Sequence, residues 1–367
     1  MNRGALSEID LQAIAHNLKE VKRVTKGLPV IAVVKADAYG HGGVEVSRVF
    51  EKQGVHSLAT AFIGEAQRLR EAGIRIPILV LFDCSDIKSF FSYNLIPVIH
   101  DLRTLKAFSK EAGKRECTID VHIKVDTGMG RMGFTSEKDA LKVVQFSNIN
   151  ITGLMSHFSE ADLSDIGYAQ MQLNKFLEVK TCFNKKGLRP LCHMANSAAT
   201  VNLRDSHLDA VRPGLMLYGC SPFKGHMEGM KGIHLKAPHT VFTTVLALRE
   251  LKKGQPVSYG RTFITTRKTL AGVLSVGYAD GYPRALSNKG YVILKGKLAS
   301  VIGRVCMDLI VVDVTDIRGV REGDKAILLG SEGKITISAW ELAEKAGTIP
   351  YEILTSLSGR AEKIYVR

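Results

Sequence analysis

Lys35 closes the apolar run Val30–Val34 in the stretch AVVKADAYGHG, and an amine delivered to the end of a buried strand has two uses. It can snorkel to solvent along its aliphatic stem. Alternatively, desolvation by Val33 and Val34 depresses its pKa and leaves a neutral amine able to form a Schiff base with an aldehyde cofactor. Other reactive residues leave apolar runs in the same manner. HIKVDTGMGRMG carries Lys124 and Arg131, SHFSEAD carries His157 and Asp162, HMANSAA carries Ser197, and VRPGLMLYG carries Arg212. Ser197 supplies a hydroxyl at a helix start, and Gly214 and Leu215 supply backbone amides, donors of the kind that hold a phosphate. Each also has a plain structural reading, since NSAA is an ordinary helix start, RPG an ordinary turn, Arg212 a surface ion-pair residue and the histidines hydrogen-bonded core. On the residues alone both readings stay open.

Positioning these groups is the task of the elements around them. Leu11, Ile14, Leu18 and Val21 recur at helical spacing behind Ser7 and Asp10, either of which can cap, so a leading helix of about four turns is expected. From Pro29 the rhythm changes to β-rich runs at Val30–Val34, His56–Thr60, Ile78–Leu81, Ile96–Ile99, Ile119–Val125, Ile151–Ser156, Leu191–Met194 and Leu208–Val211. Helical segments such as GEAQRLREAG separate them. Continuous apolar strands alternating with helices indicate a parallel sheet covered on both faces, and eight such units indicate a (β/α)8 TIM-type barrel. In such barrels the carboxyl ends of the strands form the active rim, where all the residues above fall.

After about Met230 the helices give way to TVFTTVLALREL, TLAGVLSVGY, YVILKG, KLASVIG, DLIVVDVTD and KAILLG, close-spaced β-branched runs that read as a C-terminal all-β domain. SAWELAEKAG is its one helix. The Gly-rich stretch KGHMEGMKG marks the boundary, dividing the chain into residues 1–232 and 233–367.

Composition narrows the partners. The 367 residues carry a formal charge of +14, but the basic residues are scattered, with no aromatic-interleaved stripe of the kind that tracks nucleic acid. Six well-separated cysteines without a C-x-x-C argue against both a metal site and a disulfide framework. No apolar stretch approaches the 18 residues of a membrane span and the N-terminus lacks a signal-peptide core, so neither a membrane nor nucleic acid is expected and the cytoplasm is the expected compartment.

The ordered stretches AVVKADAYGHG, KVDTGMGRMGF, GLMSHFSEAD, HMANSAA, VRPGLMLYG, VSYGRTF, SVGYADGYPR, VIGRVCMDL and GTIPYEIL resemble the motifs of bacterial alanine racemase. The resemblance runs from SEIDLQAI almost to the C-terminus. It implies a pyridoxal 5'-phosphate enzyme that interconverts L- and D-alanine and supplies D-alanine for peptidoglycan. It further implies a homodimer in which the β domain of one subunit contributes to the active site of the other.

By that resemblance Lys35 carries the cofactor covalently and serves as one base, with Tyr259 of the partner subunit as the other, because racemisation moves a proton on either face of a planar centre. A free phenol titrates near 10, so such a tyrosine needs surroundings that favour phenolate. Tyr39, Ser197, Gly214, Leu215 and Tyr351 hold the phosphate, with Asn196 supporting that loop. His157 lies beside the cofactor ring. Arg131 bonds the cofactor's phenolic oxygen and, with the backbone of Met307 of the partner subunit, the substrate carboxylate. Arg212 faces the pyridine nitrogen, with His193 behind it. A guanidinium does not deprotonate in proteins, so it donates to a neutral nitrogen and leaves the ring a weaker electron sink, which favours racemisation over transamination. Lys124 stands where family members carry a carbamylated lysine, and both states stay open. Tyr278, 19 residues after Tyr259, forms with Tyr351 a gate, and Asp162, Arg284 and Arg304 line the approach to it.

Two rivals share the scaffold: a broader amino-acid racemase and a non-catalytic pyridoxal phosphate-binding protein. VSYGRTF and RVCMDL argue against the second, which typically lacks the β domain. Two departures from the family pattern are Pro350, where asparagine is common, and the ending SGRAEKIY, which lacks the usual arginines and prolines.

Overall fold

The computed structural model describes residues 4–224, 230, 232–357 and 359–366. Most of KGHMEGMKG therefore lies outside the described residues. Contacts divide the chain into two compact units, one of Ala15–Ala38 with Gly43–Leu235, the other of Met1–Ile14, Tyr39–Gly42 and Lys236–Arg367.

Strands are numbered β1 Leu6–Asp10, β2 Ile31–Val33, β3 Ser57–Thr60, β4 Ile78–Val80, β5 Ile96–Ile99, β6 Ile119–Lys124, β7 Ile149–Met155, β8 Leu191–His193 and β9 His239–Leu251. They continue as β10 Pro256–Val257, β11 Phe263–Ile264, β12 Thr269–Leu274, β13 Tyr291–Leu294, β14 Lys297–Ser300, β15 Ile310–Asp313, β16 Lys325–Glu332, β17 Ile335–Ile337 and β18 Glu362–Val366.

In the first unit β2 to β8 pair in sequence order, every neighbour parallel. Residues of β2, β3 and β4 are buried throughout, as strands sandwiched between an interior and an outer ring of helices must be. The helix Leu102–Lys114 shows how the outer ring is made: Leu105, Phe108 and Ala112 recur on one buried face, and Asp101 caps it by accepting the Thr104 amide at 2.7 Å.

The eighth expected strand, Leu208–Val211, does not form as one. Leu208 takes a left-handed φ of 52°, so the run cannot be extended from its start. Only Ala210 and Val211 bridge, to His193 and Val30, both in parallel. Hydrogen bonds still close the ring on both sides: Asp209 N donates to Cys192 O at 3.0 Å, and Ile31 N donates to Val211 O at 2.9 Å. The barrel is thus seven strands closed by a short irregular eighth segment.

Inside the barrel, β7 carries Gly153 opposite His122 of β6, where the register shifts by one residue. A Cβ on Gly153 would lie well within contact distance of the His122 ring. Gly153→Ala is therefore expected to destabilise the fold by about 1–3 kcal/mol through overpacking, read as a lowered midpoint in thermal unfolding. Adding His122→Ala should recover part of the loss, and an unchanged midpoint in the single variant would show that the ring has room to move.

In the second unit β9 is the organising strand. Its first half lies between β1 and β16, its second half pairs with β12, and all three pairings are antiparallel. The sequence reading places residues 1–232 together and begins with a helix, whereas a strand comes first: Leu6–Asp10 pairs with β9 and, in parallel, with β18. The segment is too short for a periodicity to declare itself, and its alternating burial is imposed by the two flanking strands. The helix follows as Leu11–Val24, capped by Asp10, whose Oδ1 accepts the Gln12 and Ala13 amides at 2.8 and 3.0 Å. Ser7 does not cap it, since its hydroxyl lies 2.7 Å from His239 Nε2. The expected helix SAWELAEKAG forms as Ala339–Ala346, with Ser338 as its cap and Gly347 left-handed at its end.

Tyr39–Gly42 belong to this unit although the residues on either side belong to the barrel. The Tyr39 ring lies 5.8 Å from that of Tyr351, and the His41 ring 4.8 Å from that of His239. Pro350 opens the helix Pro350–Ser356 as a buried first residue, where a missing N–H costs nothing, so the departure at 350 is compatible with the position of Tyr351. No helix among the described residues is long and apolar enough to cross a membrane.

Candidate active site

β2 ends on a floor of buried Val33 and Val34, and Lys35 follows at the rim. The next residues do not continue in a right-handed conformation. Ala36, Asp37, Ala38 and Tyr39 all have φ between 52° and 55°, a left-handed turn built without glycine. Such backbone costs roughly 1–2 kcal/mol per residue, so something must hold it. At its start Glu65 Oε1 accepts the Ala36 amide at 2.6 Å, and after it Asp37 Oδ1 accepts the Gly43 amide at 2.6 Å.

Burial pushes the Lys35 amine below its ordinary range, helped by the nearby Arg131 and Arg212 and opposed by Glu65. Lys124, the last residue of β6, is 4% exposed and is pushed down to about 8 by burial first and then by Arg131 and Arg212. Both amines are thereby more available in neutral form than a surface lysine. Phe82, just beyond β4, gathers these charges: Lys35 Nζ, Lys124 Nζ and Arg131 Cζ lie 5.6, 5.3 and 5.4 Å from its ring centroid, within the range of cation–π attraction.

Arg131 is presented by a loop folded around one carboxylate. Asp126 Oδ1 accepts the amides of Gly128, Met129 and Gly130 at 2.9, 2.8 and 3.2 Å, and Oδ2 accepts that of Arg131 at 2.9 Å. Burial works to raise the Asp126 pKa, but these amides outweigh it and hold the carboxyl below its ordinary value. The loop returns through Gly133, whose φ of 136° lets its backbone pass close to Asp126 N, and Phe134 N donates to Lys124 O at 2.9 Å.

Arg212 lies 3% exposed, with two histidines against its guanidinium. Its guanidinium donates to Ser156 O at 2.8 Å and faces His157 Nδ1 at 3.0 Å and His193 Nδ1 at 2.6 Å. A guanidinium has no acceptor, so both facing nitrogens present lone pairs. His193 then carries its proton on Nε2 and donates it to His122 Nδ1, 2.9 Å away. Burial first, and the charge of Arg212 next, hold His157 and His193 well below the ordinary histidine range, so both are neutral at pH 7.

Asn196 caps the short helix Ser197–Asn202 by accepting the Ala199 amide at 2.9 Å. Ser197 Oγ accepts the amides of Gly214 and Met216 at 3.0 and 3.3 Å, which leaves its own proton to donate. Gly214 and Leu215 begin the turn Leu215–Tyr218 beside it. Asp162 is exposed on the loop beyond β7.

The candidate residues of the β unit cluster among themselves. Tyr278 N donates to Cys306 O at 3.0 Å, next to Met307, and Ser258, the neighbour of Tyr259, donates through its hydroxyl to Arg304 O at 2.6 Å. Tyr259 is 69% exposed and Met307 54% exposed, and Arg284, Arg304, Tyr278 and Tyr351 are also exposed.

The motif reading passes over Asp126, Phe82, Glu65 and His122. Asp126 has a local signal, since an aspartate before a Gly-rich loop is poised to accept its amides. The other three act across elements and carry no such signal in their neighbours.

The family model described as alanine racemase, N-terminal domain, matches residues 9–222, and that described as alanine racemase, C-terminal domain, matches residues 239–365. A protein of Thermodesulfovibrio yellowstonii named alanine racemase is 48% identical, the alignment covering 100% of this chain and 99% of that one. The crystal structure of alanine racemase from D-cycloserine-producing Streptomyces lavendulae superposes with a TM-score of 0.94 at 30% identity, over 100% of this chain and 98% of that one. Alanine racemase from Bartonella henselae with covalently bound pyridoxal phosphate superposes with a TM-score of 0.88 at 30% identity, over 100% of both chains.

Proposed function

The chain belongs to the alanine racemase family of amino-acid isomerases, and from that premise we propose that it interconverts L- and D-alanine by a two-base mechanism in which Lys35 and the Tyr259 of a partner subunit take and return the Cα proton. The carrying observation is the convergence on one barrel rim of a desolvated amine, Lys35, with a buried guanidinium, Arg212, set against His157 and His193.

The donor set fits pyridoxal 5'-phosphate. Lys35 matches its aldehyde, the Ser197 hydroxyl and the Leu215 amide match its phosphate beside Gly214, whose own amide supports the Ser197 hydroxyl, and Arg212 matches its ring nitrogen. Asn196 would support the phosphate end and His157 would flank the ring, with Tyr39 and Tyr351 carried over to the phosphate from the family resemblance. Bound there, the group would acidify the Cα–H of an amino acid joined to it. The rest is done by side chains. Arg212 would donate to the ring nitrogen without protonating it, and its two neutral histidines add no acidic proton beside it. Lys35 would hold the group covalently and, as a free neutral amine, take and return the Cα proton on one face. Arg131, aimed by the Asp126 loop, binds the substrate carboxylate together with the backbone of Met307 of the partner subunit.

In this reading the barrel unit holds the cofactor and the β unit serves the partner's site. A homodimer is supported by the exposure of Tyr259 and Met307, which a second copy can cover. Tyr278 and Tyr351 form a narrow gate suited to a methyl side chain, approached past Asp162, Arg284 and Arg304. Lys124 is a candidate for carbamylation: its neutral amine, adding to carbon dioxide with loss of a proton, would give a carbamate that orients Arg131. The role is cytoplasmic supply of D-alanine for peptidoglycan.

Purified protein incubated with alanine, serine or lysine in deuterated water tests the assignment. Deuterium should enter Cα of alanine with loss of optical rotation, and much more slowly for the larger substrates. Equal efficiency on all three would make it a broader racemase, and a yellow protein that exchanges none would make it a binding protein.

A further inference from the structure

Lys35 is useful only if its amine points at the rim, and the backbone that follows it is strained. Four consecutive residues without a glycine among them, Ala36 to Tyr39, are left-handed. A turn of this kind persists when its surroundings over-determine it. Glu65 reaches it from the helix Ile63–Glu71, which follows β3, the strand paired with β2. One carboxylate oxygen accepts the Ala36 amide at 2.6 Å, and the other accepts the Ala61 and Phe62 amides at 2.8 and 3.2 Å. The side chain therefore pins the first peptide of the left-handed turn to the rim end of the neighbouring strand.

From this geometry we infer that Glu65 is a positioning residue: by pinning the Ala36 amide it holds the left-handed turn and fixes the direction of the Lys35 amine. The inference rests on the reading of Lys35 as the covalent and proton-carrying group, and extends it to a residue that touches neither cofactor nor substrate.

Glu65 has two actions that can be separated. Its charge opposes the effects of burial, Arg131 and Arg212 on Lys35. Its hydrogen bond offsets a conformational strain that only a side chain with a Cβ feels, since glycine populates positive φ freely. Ala36 is exposed, so replacing it with glycine removes no packing.

The experiment compares wild type, Glu65→Gln, Glu65→Asp, Ala36→Gly and the double variant Ala36→Gly with Glu65→Gln. Three quantities are read: amide hydrogen exchange of the Lys35–Tyr39 peptide in the cofactor-free protein, the pH dependence of acylation of Lys35 in the same protein, and kcat of the holoenzyme. Thermal unfolding confirms that each variant is folded.

In Glu65→Gln one end becomes a donor facing donors, so the side chain can no longer bridge Ala36 to Ala61 and Phe62; exchange at Ala36 should rise at least about tenfold and kcat should fall about 10- to 100-fold. The midpoint for Lys35 acylation should move lower by about half a unit, because a charge favouring the ammonium is gone. Glu65→Asp, one methylene shorter, should keep the acylation midpoint near that of wild type yet lose the protection of the turn. Adding Ala36→Gly to Glu65→Gln should restore a large part of kcat without restoring the acylation midpoint.

Wild-type exchange at Ala36 in both Glu65 variants, or a double variant no better than Glu65→Gln, would overturn the inference. A general structural defect would lower the unfolding midpoint without selective rescue by glycine. If the wild type shows no racemase activity, the proposed function fails, while the two measurements on cofactor-free protein still decide whether Glu65 holds the turn.

Discussion

Lys35→Ala is expected to reduce racemisation by at least about 10³-fold, because one side chain supplies both the covalent attachment and one of the two bases, and positioned acid–base catalysis alone contributes about 10²–10⁴-fold. The substitution removes a partly exposed side chain at a strand end, so the fold should survive and the loss should be chemical. Absorbance before and after borohydride measures the attachment directly. Wild type should show a band that the reductant abolishes while fixing the cofactor to the protein, and the variant should bind cofactor loosely and fix none. A variant with the wild-type spectrum would sink the assignment of Lys35. The amine is suited to both duties because burial and two arginines favour its neutral form. The sign follows from charge: desolvation penalises ammonium, so the fraction ready to act as base at neutral pH is larger than for a surface lysine.

Tyr259→Phe is expected to lower racemisation by about 10²–10⁴-fold, the range for removing a positioned acid–base group, while leaving stability within about 0.5 kcal/mol, since a residue 69% exposed on its own unit contributes little packing. The equilibrium constant between enantiomers is fixed, so net conversion must fall equally in both directions. Isotope exchange is where the faces differ. Release of the Cα proton from L-alanine into deuterated water should be nearly lost, whereas D-alanine should still exchange through Lys35 without inverting. Equal exchange from both enantiomers would count against two bases. If Tyr259 acts in the partner's site, mixing Tyr259→Phe with Lys35→Ala chains should return up to one intact site per mixed dimer, and an inactive mixture would place both bases in one chain.

Much of the barrel is legible in the chain because its strands are local events: Ile78–Val80 declares itself by a continuous apolar run, and Ile119–Lys124 by β-branched residues at alternate positions, each between helices. Two segments are not legible. Leu6–Asp10 is a strand only because β9 and β18 lie on either side of it. Leu208–Val211 reads as a strand by composition, yet the positive φ of Leu208 allows only two residues to bridge. In both, neighbours distant in sequence outweigh local propensity.

The site divides in the same manner. Lys35, Arg131, Ser197 and Arg212 can be named from residue types and spacing because their chemistry lies in their own side chains and in motifs of a few residues. The sequence by itself determined which groups exist and the order of the elements carrying them to the rim. Only the tertiary structure decided their state: Phe82 lying among three cations, His122 accepting the proton that orients His193 toward Arg212, and Glu65 pinning a left-handed turn that no propensity would select. Burial, tautomer and strain depend on what lies across the barrel, and those contacts join residues 29 positions apart from Ala36 to Glu65 and 71 from His122 to His193.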